Sequence, residues 1–209
     1  MSAMAEQWSE PRRRASLSLS WWSAAAAGGL AGGLLPQPLL ASALAAALVG
    51  LLQALAFRPD LRYGAAWSGA TALAGAVGFG AMVVGARAFA DVAGGEPGLV
   101  REGLLAWLGL GALGGLLLAA AQAPLTGRPG LASAWCILGI VGGGILWPAG
   151  YAIGRRYGPE LGASIAELAP QLSFLTAEPV GQAAAFALAW LLHALPFGLL
   201  VASRSGGER

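Results

Sequence analysis

Residues 103–123 read GLLAWLGLGALGGLLLAAAQA and contain no charged side chain, and this stretch decides the fold. A helix of about 20 apolar residues crosses the hydrocarbon core of a bilayer, which is roughly 30 Å thick. Five further stretches of similar length and character occur along the chain. They are residues 17–35, 38–57, 64–86, 131–153 and 181–202. The sequence therefore predicts an all-α integral membrane protein with about six transmembrane helices.

The composition of the whole chain points the same way. Hydrophobic residues make up 57% of the 209 residues and charged residues 11%, whereas a soluble domain carries about 25% charged residues. The net charge of +2 gives no basis for nucleic-acid binding. The chain has no lysine, which excludes a Schiff base with retinal or pyridoxal phosphate. Cys136 is the single cysteine, so no disulfide can form within the chain.

The connections divide the chain into three helical hairpins. Residues 1–16 are predicted to be a disordered cytoplasmic tail, residues 17–203 the transmembrane domain, and residues 204–209 a short tail. The predicted hairpins are residues 17–57, 64–123 and 131–203. Within the last one, apolar residues recur at helical spacing near 160–175, which predicts a helix lying in the membrane interface.

The distribution of arginine predicts the orientation. With the amino terminus in the cytoplasm, the cytoplasmic segments hold eight arginines: Arg12, Arg13, Arg14, Arg58, Arg62, Arg128, Arg204 and Arg209. The opposite connections hold four: Arg87, Arg101, Arg155 and Arg156. Because cytoplasmic loops are enriched in basic residues, both termini are predicted to be cytoplasmic, in a bacterial inner membrane or a thylakoid. Trp21, Trp22, Trp67 and Trp135 lie near the inner ends of their helices and are expected to be interfacial anchors.

A repeat relates the hairpins to one another. Residues 51–57, LLQALAF, align with residues 191–197, LLHALPF, at an offset of 140 residues, and residues 120–124, AAQAP, lie near the midpoint. Trp67 and Trp135 occupy equivalent positions on odd-numbered helices. Each hairpin is therefore predicted to carry a Trp at the start of its odd helix and a Gln or His on its even helix. An alternative is a cleaved signal peptide after Arg12–Arg14, but the first helix belongs to the repeat.

The repeat also resembles a known group of proteins. Residues 50–58, GLLQALAFR, followed by Ala65, Ala66 and Trp67, are similar to a repeat in Gly/Ala-rich multi-spanning membrane proteins of cyanobacteria. There, a Gly-Leu-Leu-Gln-Trp-Leu segment and an Arg-rich loop precede a Gly-Trp-Trp helix start. Ala54 stands where Trp is usual, and the second copy is degenerate. The resemblance implies the hairpin architecture, and that group has no assigned activity.

Three polar side chains interrupt the apolar helices. Gln53 and Gln122 occupy equivalent positions in the repeat, and His193, the only histidine, lies in the last helix. Each can bridge helices by hydrogen bonds or contribute to an intramembrane polar site. If the hairpins surround a pseudo-threefold axis, the three side chains converge. His193 could also be an axial ligand of a tetrapyrrole, and no other cofactor or metal is predicted.

Close helix packing is predicted from small residues four positions apart, a pattern that lets helix backbones approach in lipid. The pairs are Gly28 with Gly32, Gly29 with Gly33, Gly111 with Gly115, and Gly139 with Gly143. Motifs of catalysis are missing: the chain has no Walker A, HExxH or Gly-x-Ser-x-Gly pattern. It is therefore not expected to be an enzyme.

Three functions remain open. The first is a structural or assembly subunit of a membrane complex, photosynthetic or respiratory complexes being examples, with other membrane subunits and the lipid bilayer as partners. The second is a small-solute transporter or a substrate-binding membrane component. The third is pigment or haem binding through His193.

Overall fold

The protein, represented by a computed structural model, is described at residues 2–56, 64–92, 97–126, 129–168 and 177–204. In these ranges the chain is helical and has no strand, which confirms the predicted all-α class. The α-helices are α1 (Ser2–Gly33), α2 (Pro38–Ala56), α3 (Gly64–Val92), α4 (Pro97–Gln122), α5 (Pro129–Val141), α6 (Trp147–Leu168) and α7 (Ala177–Arg204). A 3-10 turn (Ala123–Thr126) follows α4, and a π-helical turn (Gly142–Leu146) joins α5 to α6.

Five helical segments of the described chain are long and apolar enough to cross a membrane. They are Pro38–Ala56, Gly64–Asp91, Val100–Thr126, Gly130–Leu168 and Glu178–Val201. Each contains one of the predicted spans, to within a residue or a few at its ends. The span predicted at residues 17–35 lies in α1, which is not one of the five, so a sixth crossing stays a prediction. These features are those of a multi-pass membrane protein.

Two predicted segments differ in the structure. Residues 160–168 continue α6 without a break, so no separate helix begins near 160, and residues 169–175 of the predicted interfacial helix lie outside the described residues. The helix Gly130–Leu168 has 39 residues and is therefore about 58 Å long. The tail expected at residues 1–16 is helical from Ser2 onward. Ala, Glu, Gln and Arg in that stretch are strong helix formers, which favours extension of α1.

The helices form a closed ring. Each packs against the next one in the chain, with the α5–α6 helix acting as a single wall, and α7 closes the ring by packing along α1. The walls follow the predicted hairpin order of α1–α2, α3–α4 and α5/α6–α7. The ring therefore encloses a central space to which every hairpin contributes side chains.

The ring differs from a soluble protein in its apolar outer surface. Large apolar side chains point outward, among them Leu73 at 75% exposure and Leu113 at 67%. Polar side chains point inward: Ser42, Gln53, Thr71, Gln122, Gln182 and His193 are all buried. Water would penalise so large an exposed apolar surface, whereas lipid tails solvate it. The outer surface is thus suited to the bilayer.

Glycines bring neighbouring helices of the ring into backbone contact. A Cβ atom added to Gly78 on α3 would lie 2.6 Å from the Cα atom of Gly114 on α4. The predicted pairs lie at such contacts: Gly28 and Gly32 face α2, Gly29 and Gly33 face α7, and Gly111 and Gly115 face Gly139 and Gly143 on the α5–α6 helix. Because lipid gives no hydrophobic drive for helix association, this close approach supplies packing energy.

Candidate functional site

Three tryptophans meet at the centre of the ring. Trp21, Trp67 and Trp135 come from α1, α3 and α5, and their ring centroids are 5.6, 5.9 and 6.1 Å apart, each pair edge to face. All three are at most 3% exposed. These three side chains face one another inside the ring instead of a lipid interface, so the expectation that they are interfacial anchors was wrong. Each edge-to-face pair contributes about 0.5–1.5 kcal/mol beyond its buried area.

Two of the tryptophans are held by glutamines of the preceding helix. Trp67 Nε1 donates to Gln53 Oε1 at 3.3 Å, and Trp135 Nε1 donates to Gln122 Oε1 at 3.2 Å. Gln122 Nε2 also donates to Thr71 Oγ1 on α3, at 2.8 Å. Each amide thus joins an even-numbered helix to the odd-numbered helix of the next hairpin. In the low dielectric of this core, leaving such groups unpaired would cost more than in water.

The third predicted polar residue, His193, lies on α7. Its ring stacks on Trp147, with centroids 4.4 Å apart, and it contacts Phe197 at 5.1 Å. The ring lies against the backbone of Gly142, where an added Cβ would be 2.5 Å from His193 Nδ1. Among the described residues, Nδ1 has no hydrogen-bond partner of acceptable geometry. Gly142 opens the π-helical turn, so this local departure from α-helix lies directly beside the only histidine.

One small cavity brings the three predicted polar residues together. It is lined by Trp21, Gln53, Leu118, Gln122, Trp190, His193, Ala194 and Phe197. The centre of a water molecule can occupy about 10 Å³ of it. Ligand pockets for small molecules are typically about 300–1,000 Å³, so this cavity has room for neither an ordinary solute nor a tetrapyrrole ring.

A second aromatic cluster fills the ring next to this cavity. Phe79 lies 5.3 Å from Trp147, 4.9 Å from Phe186 and 5.3 Å from Trp190, measured between ring centroids. Sequence reasoning missed these residues. Their signal was the position of Trp147 and Trp190 well inside predicted spans, far from the interfaces where tryptophan usually anchors a helix.

Gln182 is a further polar residue that the sequence did not single out. Its Nε2 donates to the carbonyl of Gly33 at 3.0 Å and also to the carbonyl of Leu35. The last carbonyls of a helix have no partner within the helix itself, so Gln182 caps α1 and ties its end to α7. Ser18 adds a second tie, since its Oγ donates to the carbonyl of Gly198 at 3.1 Å.

The described residues contain no group of three or more His, Cys, Asp or Glu side chains placed to hold a metal ion. Arg87, Arg101, Glu102 and Glu167 are exposed on the helix surfaces. The chemistry available at the centre of the ring is therefore hydrogen bonding by two amides and one imidazole.

Comparison of the chain with protein-family models, with curated proteins and with solved structures finds no match. The candidate site consequently stands on its own geometry.

Proposed function

We propose that this protein is a structural or assembly subunit of a membrane protein complex. The observation that carries the proposal is the filled centre of the ring. Two aromatic clusters occupy it, and the cavity between the polar side chains leaves about 10 Å³ for the centre of a water molecule. Gln53 and Gln122 hydrogen-bond between helices. A rigid interior of this kind suits a protein whose outer surface is the functional part.

The outer face of α1 is the surface best suited to a partner. Ser23, Ala27 and Ala31 are exposed there at four-residue spacing, the pattern that allows close helix contact in lipid. Larger side chains flank them, Leu19 and Leu30 at 58% and 50% exposure, and the outer face of α2 presents Leu39 and Leu40, which are 53% and 61% exposed. Small side chains gain little from contact with lipid tails, whereas they let a partner helix approach the backbone. The proposed partner is therefore a transmembrane helix of another subunit.

A matched pair of substitutions tests this proposal. Ala27→Leu enlarges an exposed side chain on α1, and Ala43→Leu makes the same change on the exposed face of α2. After purification of tagged protein from native membranes, wild type and Ala43→Leu should carry the same membrane subunit. Ala27→Leu should lose most of it, because the larger side chain keeps a partner helix away from the α1 backbone. Equal recovery from all three proteins, or a chain that is partner-free in its native membrane, would refute the proposal.

Six crossings with both termini in the cytoplasm complete the proposed arrangement. Single cysteines at Ser16, Glu178 and Ser203, introduced into a Cys136→Ala background, would report it, because all three positions are exposed. A membrane-impermeant maleimide should label Glu178→Cys from outside and the other two only after permeabilisation. Labelling of Ser16→Cys but not Ser203→Cys from outside would indicate five crossings. The reverse pattern at all three sites would indicate the opposite orientation in the membrane.

The two other functions make different demands on the same site. A small-solute transporter or binding component requires Gln53, Gln122 or His193 to contact a solute in a larger cavity. A pigment or haem protein requires space for a tetrapyrrole plane beside His193. Mass spectrometry of the natively purified monomer separates these cases: a bound solute favours the first and an absorbing pigment the second.

A further inference from the structure

We propose that the cavity between Gln53, Gln122 and His193 is a binding site for one water molecule. The accessible volume is about 10 Å³, and a cavity needs about 10–15 Å³ of such volume to hold a single water. The site is thus matched in size to one water and to nothing larger. This inference is independent of the proposed function.

The unused hydrogen-bonding capacity around the cavity fits a water. Gln53 is 4% exposed and lines the cavity; its Oε1 accepts from Trp67, and its Nε2 makes no hydrogen bond to the described residues. His193 is also 4% exposed and lines the cavity; because its Nδ1 packs against the Gly142 backbone, Nε2 is the ring nitrogen left for the cavity. Gln122 Oε1 accepts one bond from Trp135 and has a second lone pair. A water that accepts from the Gln53 amide and donates to Gln122 Oε1 and to His193 Nε2 would make three hydrogen bonds, the usual number for a buried water.

Polarity decides between a filled and an empty cavity. Buried cavities lined only by apolar side chains stay dry, whereas those lined by unsatisfied polar groups hold water. Here the three polar groups come from α2, α4 and α7, one on each predicted hairpin. The amide–indole bonds directly connect the first hairpin to the second and the second to the third. The water then links His193 of the third hairpin to both amides, so all three hairpins share one hydrogen-bonded centre.

A crystal structure of the full chain that shows ordered water tests the inference directly. The expected result is one density peak within hydrogen-bonding distance of the Gln53, Gln122 and His193 side chains. In solution, the side-chain amide protons of Gln53 should show an NOE to a long-lived water. An empty cavity in a map that resolves other internal waters would overturn the proposal, as would the absence of that NOE from an assigned amide.

Variants identify the groups that bind the water. His193→Phe removes the imidazole and fills the cavity, so the peak and the NOE should disappear. His193→Gln keeps a hydrogen-bonding side chain on α7 and should retain them, which provides a second variant if the Phe variant does not fold. Ser42→Ala removes a buried hydroxyl that bonds to Pro38, away from the cavity, and should change neither signal. Water that persists at full occupancy in His193→Phe would exclude His193 as a ligand and overturn the proposal.

Discussion

Single glycines determine how closely two helices of the ring approach. On α4, Gly115 faces the α5–α6 helix, and a Cβ atom there would overlap the carbonyl oxygen of Gly139. Gly109, also on α4, is exposed, and outside the adjacent backbone of its own helix no described atom lies within 4 Å of its Cβ position. Glycine on α4 therefore allows close helix contact at position 115 but makes no such contact at position 109.

Substituting these two glycines should give opposite results. Gly115→Ala should lower the stability of the protein by about 1–3 kcal/mol, the usual cost of overpacking. Gly109→Ala should raise it by roughly 0.5–1 kcal/mol, because Ala is the better helix former. Thermal unfolding in detergent, followed by tryptophan fluorescence, compares the two. A similar midpoint for both variants would contradict the contact between Gly115 and Gly139.

The two glutamines should differ in their contribution to stability. Gln122 bonds to both Trp135 and Thr71, whereas Gln53, among the residues that the structure describes, bonds to Trp67. Each buried group left unpaired costs about 1–3 kcal/mol. Gln122→Leu should therefore destabilise the protein more than Gln53→Leu in the same unfolding measurement. The opposite order would mean that Gln122 does not hold both partners.

At the scale of elements, a π-helical turn at Gly142–Leu146 interrupts the longest helix between α5 and α6. A π-helix closes its hydrogen bonds over five residues instead of four. It therefore accommodates one extra residue while α5 continues to face α4 and α6 continues to face α7. Gly150 and Gly154 on α6 contact the backbone of α7. These contacts depend on the rotation of α6 about its axis relative to α5.

Deleting one residue from the turn should be tolerated. Without Gly144, the hydrogen bonds can return to α-helical spacing with both flanking helices still in phase. Deleting Ala152, an exposed residue of α6, should instead rotate the rest of the helix by about 100°. Size-exclusion chromatography in detergent should give a monodisperse peak for the Gly144 deletion and aggregates for the Ala152 deletion. Aggregation of both would show that the turn is needed for more than phase.

The sequence predicted the helices more completely than it predicted which side chains fill the interior of the ring. Long uncharged runs such as residues 103–123 identify membrane helices because length and apolarity alone are decisive in lipid. Gln53, Gln122 and His193 could be found because polar groups in such runs need partners. The interior position of Trp67 and Trp135 could not be predicted from the sequence, since a tryptophan that anchors a helix in the membrane interface also lies near the start of that helix. Nor does any local pattern reveal the π-helical turn or the α1 cap provided by Gln182, which depend on tertiary contacts.

At the scale of the whole molecule, the closed ring separates an apolar exterior from a polar and aromatic interior. Leu113 is 67% exposed in the middle of α4, whereas Leu168 is 87% exposed at the end of α6. Only the first position is expected to lie in the hydrocarbon core. The two leucines therefore distinguish the lipid-facing belt from the surface beyond it.

Arginine substitutions at these leucines should test that distinction. Arginine in the middle of a membrane helix costs about 2.5–3.5 kcal/mol on insertion, so Leu113→Arg should sharply reduce the amount of protein in the membrane fraction. Leu168→Arg should leave it unchanged. Equal amounts of both variants in the membrane would argue that lipid does not surround α4.

The length of the α5–α6 helix gives the two sides of the molecule different shapes. At about 58 Å it is nearly twice the thickness of the hydrocarbon core, so a large part of it must stand clear of the lipid tails. Arg155, Arg156 and Glu160 are exposed toward that end. In projection images of a complex containing this chain, such a protruding rod would serve as a fiducial mark. It would orient the subunit and tell one face of the membrane from the other before any side chain is resolved.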